Sequence, residues 1–123
     1  MARATLTKTT PLGSNGTYGA NLADMVMTAA NVSDKNQFVC TGNDLVIAHN
    51  TNAGSTARTV TVTSVADPYG RTGNIAAYSI GAGEFAVFGP FKSTGWQQTD
   101  GYVYLEADNA EVKFGVVTLP GTY

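Results

Sequence analysis

The sequence predicts an all-β protein: a single-domain antiparallel β-sandwich or jelly roll with an extended N-terminal arm. Short apolar runs with alternating side chains recur along the chain, and turns rich in Gly, Asp and Asn separate them. No stretch repeats apolar residues at helical spacing. The length of 123 residues corresponds to one domain. We therefore assign residues 1–23 to the arm and residues 24–123 to the sandwich.

The arm is rich in Thr, Gly, Asn and Ser and has few large apolar side chains to anchor it. Leu6 between two threonines indicates a short strand within residues 4–8. Two interpretations are open: a partly ordered terminus, or an arm that orders against a neighbouring subunit or a larger assembly. On the second interpretation, deletion of residues 1–20 leaves a folded protein that has lost its partner.

The first half of the sandwich contains a predicted hairpin. Residues 37–41 and 44–50 flank Gly42-Asn43, and Gly at the first turn position suits a type II′ turn. This pairing sets Phe38 opposite Ile47 on one face and Val46 on the other. The second strand is apolar on both faces, which is typical of a central strand that is covered from both sides.

The middle of the chain adds four more predicted strands. Residues 25–30, 58–65, 75–80 and 84–88 alternate or are rich in apolar side chains. Residues 25–30 could also form one helical turn, but Val26 and Thr28 alternate with the methionines, which favours the strand. Within residues 58–65, valines alternate with threonines, which predicts one buried and one exposed face. Gly89-Pro90 is expected to end the last of these strands.

The C-terminal part predicts a three-stranded meander. Asp100-Gly101 and Asp108-Asn109 separate three apolar runs, and Asp-Gly is a strong hairpin signal because both turn positions need positive φ. Alternation then divides the side chains between a buried and a wet face. The predicted buried set is Trp96, Val103, Leu105, Val112 and Phe114, and the predicted wet set is Gln97, Thr99, Tyr102, Tyr104, Glu106, Glu111 and Lys113.

The sequence lacks the residues that common catalytic and metal sites need. His49 is the one histidine and Cys40 the one cysteine, so a hydrolase triad or a zinc site is not assembled by local spacing. We predict no enzyme activity, no cofactor and no metal, with Cys40 in the core and His49 at a strand end. The meander sets Glu106 beside Glu111, where like charges repel. Either both splay into water, or a cation or a partner's arginine lies between them.

Charge and hydropathy limit the partners. Charged residues make up 13% of the chain, about half the usual fraction, and the net charge is −2. This balance argues against nucleic acid and against anionic membranes as partners. The first residues have no apolar segment, so we expect no signal peptide and no secretion. No apolar run is long enough for a transmembrane helix.

Tyr102 and Tyr104 lie next to each other on the predicted wet face. Aromatic side chains are enriched at the centres of protein interfaces. The same pair would suit sugar stacking, or packing beneath a second loop. The inward assignment of Trp96 counts against the sugar interpretation, which needs several exposed rings.

A pattern of turns and aromatic residues carries a resemblance to a known family. Its parts are Arg58-Thr-Val-Thr-Val-Thr-Ser64, Gly70-Arg71, Phe88-Gly-Pro-Phe91, Gly95-Trp96 and Asp100-Gly101. Over residues 35–120 the pattern resembles small proteins of tailed bacteriophages and prophages. These proteins are encoded near the major capsid protein and are taken as capsid decoration, or cement, proteins.

The resemblance implies a jelly roll or β-sandwich without enzyme activity that sits on the outer capsid surface of the virion. It implies the major capsid protein as partner, synthesis in the host cytoplasm, and a small homo-oligomer, with a trimer favoured. Alternative functions are a carbohydrate-binding β-sandwich module and a phage tail or neck component. The residues predicted to contact the capsid or a neighbouring subunit are Leu6, Thr7, Leu12, Tyr18, Tyr102 and Tyr104.

Overall fold

A computed structural model describes residues 2–12, 19–21 and 23–119. The described residues form ten strands and one helical turn. In chain order they are β1 (Ala4–Thr5), β2 (Lys8–Thr9), β3 (Thr28–Ala29), β4 (Asn36–Val39), β5 (Asp44–Asn50), β6 (Arg58–Thr63), β7 (Ile75–Ile80), β8 (Phe85–Phe91), α1 (Ser93–Trp96), β9 (Tyr102–Ala107) and β10 (Val112–Thr118). No helix in this part of the chain is long and apolar enough to cross a membrane.

The strands make two mixed sheets of five strands that pack face to face. Sheet A has the order β1-β4-β9-β6-β7, and sheet B has the order β2-β10-β5-β8 with β3 also on β10. Without the arm strands, β3-β10-β5-β8 faces β4-β9-β6-β7, which is the order of a jelly roll, and every pair is antiparallel. The predicted all-β sandwich is confirmed.

The arm adds one short strand to each sheet. β1 pairs in parallel with β4, and β2 pairs in parallel with β10. Leu6, between the two arm strands, is 5% exposed and belongs to the hydrophobic core. Residues 4–9 therefore bridge the two layers of the sandwich.

The core lies between the sheets and follows the alternation of the strands. Val60 and Val62 on β6 are fully buried, as the valine–threonine alternation predicts. Four of the five residues of the predicted buried set, Val103, Leu105, Val112 and Phe114, are also buried. Trp96 is half-buried and packs edge-on against Phe91, with the ring centroids 5.0 Å apart. Cys40 is half-buried and packs against the core.

The predicted meander is wrong. β9 pairs with β4 and β6 in sheet A, whereas β10 pairs with β5 in sheet B, so residues 108–111 cross from one sheet to the other. The first run, residues 96–99, is not a strand, since Trp96 ends α1 and residues 97–99 belong to no strand. The Asp108 carboxylate accepts a hydrogen bond from the Thr59 amide at 3.0 Å, which ties the crossing to sheet A. Inward side chains lie close together both within a hairpin and between two packed sheets. An alternating pattern therefore does not show which of these two arrangements a pair of strands adopts.

The predicted hairpin at Gly42-Asn43 is wrong for the same reason. β4 pairs with β9 in sheet A and β5 pairs with β10 and β8 in sheet B, so this turn also crosses between the layers. Because the chain crosses between the sheets here, the residues of β5 that face the core are not fixed by those of β4. Phe38 and Val46 are therefore buried together, and Ile47 faces outward.

Gly89-Pro90 does not end its strand. β8 continues to Phe91, and a shift in the register against β5 between Asp44 and Val46 accommodates the interruption. A Cβ atom at Gly89, where φ is 114°, would lie 2.7 Å from the carbonyl oxygen of Asp44. Glycine is therefore required at position 89, because a side chain there would clash with the main chain of β5.

Candidate interaction surfaces

The tyrosine face is the outer surface of sheet A formed by Tyr102, Tyr104, Gln37, Thr5 and Arg3. Alternation along β9 sends Val103 and Leu105 inward and both tyrosines outward. β4 places Gln37 opposite Tyr104, and β1 in turn places Thr5 opposite Gln37. The tyrosines are half-buried, since side chains of β1 and β4 flank them.

The arm and the tyrosines form one continuous surface. The guanidinium carbon of Arg3 lies 4.2 Å from the centroid of the Tyr104 ring, which is the geometry of a cation–π contact. The guanidinium also donates hydrogen bonds to the carbonyl oxygens of Asn36 at 3.2 Å and Leu105 at 3.4 Å. The side-chain amide of Gln37 donates to the hydroxyl of Thr5 at 3.1 Å. Sequence reasoning predicted the tyrosines and the arm separately and did not bring them together.

The hydroxyl of Tyr104 has a partner of its own. It donates a hydrogen bond to the Asp100 carboxylate, and this bond holds the pKa of Tyr104 above its ordinary value. The tyrosine is therefore neutral and fixed in orientation at physiological pH. Its ring carries the Arg3 guanidinium on one side, so it is not an open platform for a sugar.

The other predicted contact residues differ in their accessibility. Leu6 points into the core of its own chain and is not available to a partner in this structure. Thr7 is exposed and Leu12 is 50% exposed. Tyr18 lies outside the described residues. Thr7 and Leu12 are thus the arm residues of this set that face solvent.

A second surface, the β8 margin, lies on the outer face of sheet B and consists of Leu45, Ile47, His49, Phe85 and Val87. Phe85 and Val87 are 61% and 63% exposed, and the β5 residues opposite them are half-buried. His49 stacks on Phe85 with the ring centroids 3.9 Å apart and an angle of 10° between the planes. His49 lies near the end of β5 on the same face as Leu45 and Ile47, as predicted, and the structure turns this face outward.

Sequence reasoning did not single out the β8 margin, although a signal was present. Residues 44–48 are apolar on both faces after the aspartate, and residues 85–88 are apolar throughout. Such strands are expected to be covered on both sides. The core covers one side, and the other side of β5 and β8 stays partly open.

Methionines cover the neighbouring part of the same face. A Cβ atom at Gly115 on β10 would lie 2.6 Å from the sulfur of Met27 and 2.7 Å from that of Met25. Residues 25–27 therefore lie directly on β10, and the absence of a side chain at Gly115 makes room for them. Phe85 and Val87 on β8 remain exposed on this face.

The charged groups near the sandwich edges are arranged as ion pairs. Glu106 and Glu111 are not neighbours, in contrast to the sequence prediction, because Glu106 lies on β9 in sheet A and Glu111 directly precedes β10 of sheet B. Glu106 binds Lys35 at 2.9 Å and Glu111 binds Arg58 at 2.7 Å. Hydrogen bonds from Asn52 and from Arg58 hold the pKa of Glu111 below its ordinary value.

Asp44 forms a buried polar cluster at the start of β5. Its carboxylate accepts hydrogen bonds from the Thr41 amide and hydroxyl at 2.8 and 2.7 Å and from the Thr118 hydroxyl at 2.9 Å. The Lys8 ammonium lies 3.0 Å away. Burial alone would raise the pKa of Asp44, but these donors outweigh burial and hold the pKa below its ordinary value. The cluster fastens the arm and offers no reactive group to solvent.

Among the described residues, no group of three or more His, Cys, Asp or Glu side chains is placed to hold a metal ion. No family model, curated protein or solved structure matches the chain.

Proposed function

We propose that this protein is a capsid decoration protein of a tailed bacteriophage. It binds the major capsid protein on the outer surface of the shell and reinforces it without chemistry. The resemblance over residues 35–120 supports this proposal, and the jelly roll is the fold that the resemblance implies. The observation that carries it is the continuity of the tyrosine face, in which the arm and the two tyrosines present one surface.

The mechanism is the addition of contact area to the assembled shell. A protein that binds the shell and not its free subunits stabilises the shell by mass action, by about 2.7 kcal/mol per site at a concentration 100 times the Kd. Tyr102 and Tyr104 supply the aromatic area typical of interface centres. The contacts that hold Arg3 and Tyr104 in the free protein reduce the side-chain entropy lost on binding.

No specific observation favours the carbohydrate-binding alternative. Stacking on a sugar needs an open ring, and the Arg3 guanidinium lies over the ring of Tyr104. The tail or neck alternative uses the same kind of protein contact at another place in the particle.

Co-sedimentation with empty capsids tests the proposal. The capsids are assembled from the major capsid protein that the same genome encodes, and the bound fraction is titrated for the wild type and for Tyr102→Ser. We expect saturable binding of the wild type and an affinity at least about tenfold lower for the variant, since central aromatic residues dominate interface energies.

Tyr69→Ser is the matched control. Tyr69 is 82% exposed in a loop, so its substitution removes a tyrosine ring away from the tyrosine face. Its affinity is expected to equal that of the wild type. Wild-type protein that stays in the supernatant at all concentrations, or saturable binding to a glycan array instead, would refute the proposal.

A further inference from the structure

We infer that a second copy of this chain docks on β8, so that two β8 strands pair antiparallel across a two-fold axis and join their B sheets. The β8 margin then becomes a buried subunit interface. This inference does not depend on capsid binding. It concerns the sheet on the opposite side of the sandwich from the tyrosine face.

The free edge of β8 carries an open row of main-chain groups. Among the described strands, β8 pairs with β5 on one side only. The carbonyl oxygen of Glu84 accepts a hydrogen bond from the Asn50 amide at 3.0 Å. This bond determines which residues of β8 bond to β5 and which point away from it. In an antiparallel ladder alternate residues bond to the neighbour, so the amides and carbonyls of Phe85 and Val87 point to the open edge.

The other sheet edges among the described strands are short or irregular. β1, β2 and β3 have two residues each. β7 is interrupted by Ala77, with φ of 47°, and by a shift in its register. Natural sheets use such devices, and charges, to prevent pairing with other chains. β8 has seven residues without a charge, and Pro90 interrupts only its far end.

The pattern of exposed side chains along β8 is self-complementary. Exposed Phe85 and Val87 alternate along it, and a two-fold axis at Val87 sets the Val87 side chains of the two copies opposite each other, with Phe85 opposite Gly89 of the other copy. Glu84 and Lys92 flank the strand at its two ends. Antiparallel pairing sets the acidic end of one copy beside the basic end of the other, whereas parallel pairing would set like charges side by side.

The molar mass of the full chain in solution tests the inference. We expect the wild type to have twice the chain mass of 12.8 kDa when measured by light scattering at chain concentrations up to about 100 μM. Val87→Asp is expected to have the mass of one chain, because two carboxylates would face each other near the axis. The Val87 side chain is exposed, so the variant is expected to keep the β-type circular dichroism of the wild type.

Val39→Asp is the matched control, because Val39 is 48% exposed on the outer side of sheet A. It is expected to keep the mass of two chains. Hydrogen exchange of the wild type gives a second measurement that needs no variant. The amides of Phe85 and Val87 are expected to lose protection on dilution, in step with the fall in mass.

Three results would overturn the inference. The first is a wild-type mass of one chain throughout this range. The second is a mass of three chains, which is the trimer that the resemblance implies. The third is a mass of two chains that Val87→Asp leaves unchanged. None of these bears on whether capsids bind the protein, so failure here is distinguishable from failure of the proposed function.

Discussion

Asp44 connects three distant parts of the chain through one carboxylate. Its donors come from the turn before β5, from the end of β10 and, through Lys8, from the arm. The Lys8 ammonium is buried and has no other polar partner among the described residues. Removal of the carboxylate charge therefore leaves a buried cation without compensation, which is the costly way to break an ion pair.

We expect acid to destabilise the protein partly through Asp44. The folded pKa lies below the ordinary value of 3.8, so the unfolded chain binds a proton more readily near pH 4. The stability from this group is complete above that value and is lost as the pH falls through the lower folded pKa. Asp44→Asn is expected to reduce the fall in unfolding free energy between pH 7 and pH 3, and to lower stability at pH 7 by about 3 kcal/mol.

Urea unfolding at the two pH values measures both effects. Glu106→Gln is the control, since its ion pair with Lys35 is on the surface and is expected to contribute less than about 1 kcal/mol. Glu111 keeps its lowered pKa in both variants, so some acid sensitivity remains. An Asp44→Asn protein as stable as the wild type at pH 7, or with the same loss at pH 3, would contradict this account.

At the scale of elements, the arm is part of the sandwich. Leu6 is in the core and its neighbours pair with both sheets. Deletion of residues 1–20 is therefore expected to lower the stability of the fold, in contrast to the expectation from sequence. A deletion would thus confound loss of folding with loss of binding.

Leu6→Ala tests this anchoring with a single side chain. We expect it to lower the free energy of unfolding by about 2–4 kcal/mol, because a buried leucine is replaced and a cavity remains. Leu12→Ala removes the same atoms from a half-exposed position of the arm and is expected to cost less than about 0.5 kcal/mol. Equal denaturation midpoints for the two variants would show that the arm is not anchored through Leu6.

Most strand positions were predictable from sequence, whereas strand pairing was not. Alternation is local, so the buried valines of β6 could be assigned without knowing their neighbours. Gly42-Asn43 and Asp108-Asn109 allow a sharp change of direction in a hairpin and in a crossing between sheets alike. The contact of Arg3 with Tyr104 depends on parallel pairing of β1 with β4, whose residues are 32 positions apart, and no local pattern encodes it.

At the scale of the whole molecule, the two layers separate two kinds of surface. Sheet A carries polar and aromatic side chains on its outer face, and the exposed side of β5 and β8 in sheet B is apolar. The core between the sheets keeps the surfaces apart, so a partner on one face does not obstruct the other. Two copies joined through β8 would each keep a free tyrosine face.

This separation predicts that pairing of copies strengthens capsid binding through avidity. A second tyrosine face held at a fixed distance binds at a high effective concentration, provided that both reach the shell. Monomeric Val87→Asp is therefore expected to bind capsids at least about tenfold more weakly than the wild type, with an unchanged number of chains per capsid at saturation.

Tyr102→Ser is expected to weaken binding while the mass stays at two chains. The measurement is the same co-sedimentation titration, with Tyr69→Ser as the control that is expected to keep its affinity. Wild-type affinity in a monomeric Val87→Asp protein would show that each copy binds the shell alone.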